Sequence, residues 1–216
     1  MRLSSAPEEI MPIQIQSVLC GEIGENAWIV WREGRDDCVV IDPGDEYPKL
    51  KRAIGGKRVA AILLTHGHFD HIMAVGAMAA DTRAPVYIAA ADMEMLDNPL
   101  LNGRMGLLGV SRMEGPAIAA RPFDGELSAA GLDFEIIPTP GHSKGSVCLY
   151  LPDEGALFSG DTLFNCGCGR MDLHGGSPLH MRQSLRRLFT LPPGTRVYPG
   201  HGMSTTIGDE RSRYSL

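Results

Sequence analysis

Through the first third of the chain, apolar residues fall in short runs of strand length, at positions 13–19, 27–31 and 38–41. Asp42-Pro43-Gly44 ends the third run with residues that favour a turn. A short helix is predicted over Tyr47–Ile54. Positions 59–64 are then continuously apolar, as in a strand covered on both faces. Positions 72–80 are rich in Ala and Met, which predicts a helix beginning inside or just after the polar stretch that precedes them. A strand at 85–88 and a short helix at 89–96 follow.

From 98 to 122 the pattern is irregular. Gly103, Gly106, Gly109, Gly115 and Pro116 alternate with Met105, Leu107, Leu108 and Met113. Two readings stay open, a surface loop with a few core anchors and a flap covering a substrate. Strand patterns return at 134–137, 146–151 and 156–159. Over 179–189, Leu179, Leu185, Leu188 and Phe189 share a face and basic residues fill the rest, which predicts an amphipathic helix stopped by Pro192-Pro193-Gly194. A last strand at 196–198 runs into Pro199-Gly200-His201. Many strands interleaved with a few helices indicate a layered α/β protein.

A length of 216 residues allows one substantial core. We read residues 1–11 as a loose lead-in and 12–216 as a single domain. The 44% hydrophobic and 21% charged fractions match an ordinary globular chain. No uncharged apolar run of about 18 residues occurs, and the first positions lack a secretory pattern, so a cytoplasmic protein without a membrane partner is expected. A formal net charge of −6 counts against nucleic acid as the partner. It leaves room for a small anionic substrate, which needs only a local pair of basic side chains. The five cysteines, Cys20, Cys38, Cys148, Cys166 and Cys168, are odd in number and scattered, unlike a disulfide framework. The first three sit in apolar runs and are expected to be reduced core thiols. Oligomeric state is not legible.

The candidate chemistry lies at the ends of the apolar runs. Directly after 59–64 stands Thr65-His66-Gly67-His68-Phe69-Asp70-His71, with four imidazole or carboxylate donors in six positions. Such donors suit zinc, iron or manganese. His142 in Pro140-Gly141-His142, Asp161 in Ser159-Gly160-Asp161 and His201 in Pro199-Gly200-His201 repeat the placement. Singly, a Gly-His pair is often a turn and a Gly-Asp pair often a helix cap. Together, all follow strands, and strand ends on one edge of a sandwich can assemble one site from distant segments. His174 and His180 fall outside this pattern and are read as surface or supporting residues.

The set Thr65 to His71, with Gly141-His142, Gly160-Asp161 and Gly200-His201, resembles the metallo-β-lactamase-fold hydrolase superfamily. Within it the chain is most similar to glyoxalase II-like proteins (hydroxyacylglutathione hydrolases). That similarity is carried by Gly160-Asp161-Thr162-Leu163-Phe164, Gly167-Cys168-Gly169-Arg170 and the segment from His201 to Gly208. The resemblance implies an α/β fold, a four-layer αβ/βα sandwich, with two divalent metal ions at one edge, zinc foremost and iron or manganese also suited. It implies that His66, His68 and His142 bind one ion, that Asp70, His71 and His201 bind the other, and that Asp161 bridges them. Asp42 resembles the family's supporting aspartate, and a turn residue before proline is its plain alternative. Arg170 stands where the family carries a basic residue facing the substrate, and Lys144 is a second basic candidate. Only 15 residues follow His201, so the resemblance is to a short form lacking the C-terminal helical domain of full-length glyoxalase II.

The implied reaction is hydrolysis of a small thioester such as S-lactoylglutathione by a metal-bridging hydroxide, with Asp70 and Asp161 as the catalytic carboxylates. A mononuclear-iron persulfide dioxygenase of the same fold is the main alternative, since Gly167-Cys168-Gly169-Arg170-Met171-Asp172 resembles that branch too. Its iron would use His66, His142 and Asp161. An inactive metal-binding domain is the third reading. Redox chemistry at Cys166-Gly167-Cys168, β-lactam hydrolysis and nuclease activity are ranked below these.

Overall fold

A computed structural model describes residues 11–106 and 113–214. Positions 1–10, most of the expected lead-in, and Leu107, Leu108 and Gly109 of the irregular segment lie outside the described residues. Two six-stranded sheets face each other. The first holds β1 (Ile13–Cys20), β2 (Glu25–Arg32), β3 (Asp37–Ile41), β4 (Arg58–Leu63), β5 (Val86–Ile88) and β6 (Ala120–Pro122), in that order. The second holds β7 (Glu126–Ala129), β8 (Leu132–Pro138), β9 (Val147–Leu151), β10 (Ala156–Gly160), β11 (Arg196–Pro199) and β12 (Thr205–Thr206), again in chain order.

Burial explains the layers. Trp28, Val30, Val39, Ile41, Leu63, Phe134, Leu149 and Phe158 alternate inward from both sheets and fill the space between them. The outer face of the first sheet is covered by α1 (Tyr47–Ile54) and α3 (Val75–Thr82), through Leu50, Ile54, Val75 and Met78. The outer face of the second is covered by α4 (Pro178–Leu188) and α5 (Ile207–Arg211), through Met181, Leu185, Leu188 and Ile207. The result is the expected four-layer αβ/βα sandwich. No helix among the described residues is long and apolar enough to cross a membrane.

Local chemistry sets several element ends. α4 starts with Pro178 in its first turn and the Ser177 hydroxyl accepting from the His180 amide. Its buried stripe is Met181, Ser184, Leu185 and Leu188, while Leu179 is 65% exposed. Leu179 therefore leaves the face assigned to it, because two positions before Met181 is about 200° round a helix. The helix expected over 72–80 is divided into a one-turn α2 (Phe69–Ile72) and α3, and the helix expected at 89–96 is a 3₁₀ turn, Ala90–Met95.

Strand direction positions the site. β3 to β6 run parallel. β8 and β10 are each antiparallel to β9, and β11 is parallel to β10. β4, β8, β10 and β11 thus deliver their C-terminal ends to one edge of the sandwich. Two backbone hydrogen bonds close that edge, from the Val147 amide to the Thr65 carbonyl (2.9 Å) and from the Asn26 amide to the Gly200 carbonyl (2.7 Å).

Candidate metal centre

The four strand ends bring all seven expected ligands together. His66, His68, Asp70 and His71 follow β4, with Asp70 and His71 on the single turn of α2. His142 follows β8, Asp161 follows β10 and His201 follows β11. Donor atoms of His66, His68 and His142 lie within 4.8 Å of one another, and so do those of Asp70, His71 and His201. Asp161 stands between the two groups, with Oδ2 3.4 Å from His142 Nε2 and Oδ1 3.4 Å from His71 Nε2.

The far side of each ring is held by the protein. His142 Nδ1 donates to the Arg170 carbonyl (2.6 Å), which leaves the Nε2 lone pair facing inward. His71 Nδ1 donates to Asp42 Oδ2 (3.0 Å). Asp42 also accepts from the Thr65 amide (2.7 Å) and hydroxyl (2.6 Å), and the same hydroxyl oxygen accepts from His66 Nδ1 (3.0 Å). Asp42 holds this place with a left-handed backbone, φ 49°, a conformation that aspartate tolerates better than most residues.

What remains is a set of buried donors without partners. His66 Nε2, His71 Nε2 and Asp161 Oδ1 make no hydrogen bond, and His68 Nδ1 lies 2.7 Å from His142 Nε2. Buried polar atoms are ordinarily satisfied. Electrostatics point the same way. Burial, reinforced by neighbouring imidazoles, pushes His66 far below the usual histidine range and His68 down to about 3, so both are neutral lone-pair donors. Burial acts against charge on His71, yet Asp70, Asp161 and Asp42 pull its affinity for a proton well up. Burial likewise opposes ionisation of Asp161, but the charge on His71 holds its carboxyl below the usual range. Neutral His66 and His68, with ionised carboxylates that draw positive charge onto His71, surround one space as a cation site does, and the donor set fits two divalent ions.

The glycines admit no larger residue here. A Cβ on Gly200 would meet Asp161 Oδ1 and lie 2.7 Å from His71 Cε1. At Gly160, φ is +47° and a Cβ would strike the Thr65 hydroxyl.

Two supporting residues escape the sequence pattern. Asp92, fully buried, accepts from the Gly67 amide (3.1 Å), the Ser143 hydroxyl (2.6 Å) and the Gly145 amide (2.6 Å), so it ties the His66–His68 loop to the His142 loop. Glu25, also fully buried, has Oε1 3.8 Å from His71 Nδ1 and neither oxygen hydrogen-bonded. Burial drives its carboxyl pKa well up, although the His71 charge opposes this.

A cavity of about 480 Å³ opens over the centre, lined by Ile23, Phe69, Phe164, Leu173, Asn102 and Arg170 among others. Arg170 therefore lines the cavity over the ligands. Lys144 is exposed and lines a different depression with Phe123 and Ile136, one that holds none of the seven ligands. His174 and His180 are exposed and outside the centre, His174 lying 3.6 Å from Glu94. Asn102 and Gly103 place one end of the irregular segment against the cavity.

The chain compares closely with known proteins. It is 38% identical to the Bacillus subtilis protein described as probable metallo-hydrolase YqgX, over 89% of this chain and 92% of that one. It is 36% identical to a hydroxyacylglutathione hydrolase of Rhodobacter capsulatus, over 84% of this chain but 64% of the longer relative. Among solved structures, BLEG-1 B3 metallo-beta-lactamase superposes with a TM-score of 0.85 at 36% identity, covering 92% of this chain and 97% of that one. TTHA1623 in a di-iron-bound form superposes with a TM-score of 0.80 at 40% identity, covering 91% and 96%. The model of the metallo-beta-lactamase superfamily matches residues 20–201, from the end of β1 through the last candidate ligand, and the chain belongs to that superfamily.

Proposed function

We propose that this metallo-hydrolase cleaves small thioesters at a two-metal centre made by His66, His68 and His142 on one side and Asp70, His71 and His201 on the other, with Asp161 shared. The observation that carries the reading is the convergence of these side chains from four strand ends, with His66, His68, His71 and Asp161 presenting buried atoms that have no partner. These seven side chains would hold a pair of divalent ions, zinc or iron, which would supply Lewis-acid activation of a water and polarisation of a carbonyl.

The protein supplies position and proton handling. The cavity presents the thioester carbonyl to the ligand cluster between Phe69 and Phe164, and Phe164 packs edge-on to the His201 ring, 6.1 Å between centroids. Asp70, with Oδ2 3.1 Å from His201 Nε2, receives a proton from the attacking water. A C–O bond forms, the C–S bond breaks, and the electron pair leaves with sulfur. That proton then passes to the thiolate, so water and thioester become a carboxylic acid and a thiol. A thiolate leaves readily, and no separate strong acid is required.

The relationship to hydroxyacylglutathione hydrolases makes S-lactoylglutathione the first substrate to test. Purified protein loaded with zinc or iron is expected to release thiol from it or from simpler thioesters well above the metal-free background. Background turnover with every thioester contradicts the reading.

A further inference from the structure

The cavity above the ligand cluster is poorly matched to an anionic thiol. A glutathione thioester carries two carboxylates and one ammonium. Among the described residues, the one Lys or Arg side chain lining the cavity is Arg170. One edge of its guanidinium is engaged, with Nε donating to Asp172 Oδ1 (2.7 Å) and Nη2 to Asp172 Oδ2 (2.8 Å). These two parallel bonds occupy two of its five N–H donors, and the Asp172 carboxylate offsets the positive charge that would attract a substrate carboxylate. The Arg170 backbone is fixed as well, because its carbonyl accepts from His142 Nδ1.

The walls have a different character. Ile23, Phe69, Phe164 and Leu173 come from three separate segments and face one space. Ile23 projects from the turn between β1 and β2 and is 50% exposed, although it is a large aliphatic side chain beside a polar centre. An exposed isoleucine in a cavity wall gains free energy when an apolar group covers it.

Resting on the thioester reading above, we propose that the site selects thioesters with an apolar acyl chain and an uncharged thiol portion, Ile23 contacting the chain and Asp172 offsetting the charge of Arg170 toward anionic groups. The same pairing makes Asp172 a specificity-determining residue. Its removal releases a cation at the cavity wall.

The test uses the metal-loaded full chain with acetyl, butanoyl and hexanoyl thioesters of N-acetylcysteamine, alongside S-lactoylglutathione. For the wild type, kcat/KM is expected to rise about two- to fourfold per methylene, the range set by partial to full burial of each group. Hexanoyl is expected to exceed lactoylglutathione. Ile23→Ser flattens the dependence on chain length. Asp172→Asn raises the ratio of kcat/KM for lactoylglutathione over hexanoyl. Calorimetric titration of hexanoate against acetate is expected to give the same order without turnover. Turnover with no dependence on acyl length, or a lactoylglutathione preference that Asp172→Asn does not move, overturns the specificity and leaves thioester hydrolysis standing. No turnover of any thioester overturns both.

Discussion

Asp42 touches no part of the cavity, yet three groups around the centre depend on its carboxylate. It accepts from the Thr65 amide and hydroxyl, and from His71 Nδ1. Through the Thr65 hydroxyl it also orients His66. Asp42→Ala is therefore expected to weaken metal binding about 10- to 100-fold, the usual effect of losing an outer partner of a ligating histidine. Competition with a chromophoric chelator measures it, and unchanged affinity would return Asp42 to the role of a turn residue. At this scale the ligands were the legible part, because all of them follow an apolar run and most stand next to a glycine. Asp92 and Glu25 gave no such signal. Asp92 works through three partners 25, 51 and 53 positions away, and a lone acid in a helical run says nothing of that. Glu25 opens β2 as an ordinary polar residue, and its burial follows only from the approach of the His201 loop, with which it forms a β-bridge.

Elements bring the site together only if their strands keep register. At the opposite end of the sheet from the ligands, Asp37 at the start of β3 accepts from Arg35 (2.8 Å) and from Arg58 at the start of β4 (2.5 Å). The hydrogen bond from Arg35 lowers the Asp37 pKa, and burial opposes it. Because the folded value is depressed, the contribution to stability is fully present above the unfolded carboxyl value of about 3.9 and is lost as pH falls through the folded value. Asp37→Asn is expected to cost about 1 kcal/mol near neutrality. In urea melts the gap from wild type should narrow below about pH 4; a gap independent of pH would contradict the ion pairing. Element identity followed apolar run length closely, with α1 found at Tyr47–Ile54 and β4 within one residue of its expected bounds. β6, β7, β12 and α5 carried no expectation, since edge strands of two to four residues and a five-residue helix have too few positions to show a period.

For the whole molecule, the layer between the sheets doubles as the floor of the centre. Phe158 is fully buried, stacks on Tyr198 at 5.2 Å and meets Trp28 edge-on at 6.1 Å, three positions before Asp161. Phe158→Ala is expected to destabilise the fold by about 3–5 kcal/mol, read from thermal or urea unfolding. A loss under about 1 kcal/mol would mean that the layer can close over the gap. The layered α/β class was legible from strands interleaved with few helices, while the face-to-face placement of two six-stranded sheets came through the resemblance. Periodicity alone does not say which strands pair. The central claim is that seven side chains hold two ions, and metal content decides it most directly. Elemental analysis of protein purified without added metal should find about two divalent ions per chain, falling to about one in His201→Ala. One iron per chain in the wild type, unchanged by His201→Ala, would contradict the two-metal centre and favour a single iron on His66, His142 and Asp161.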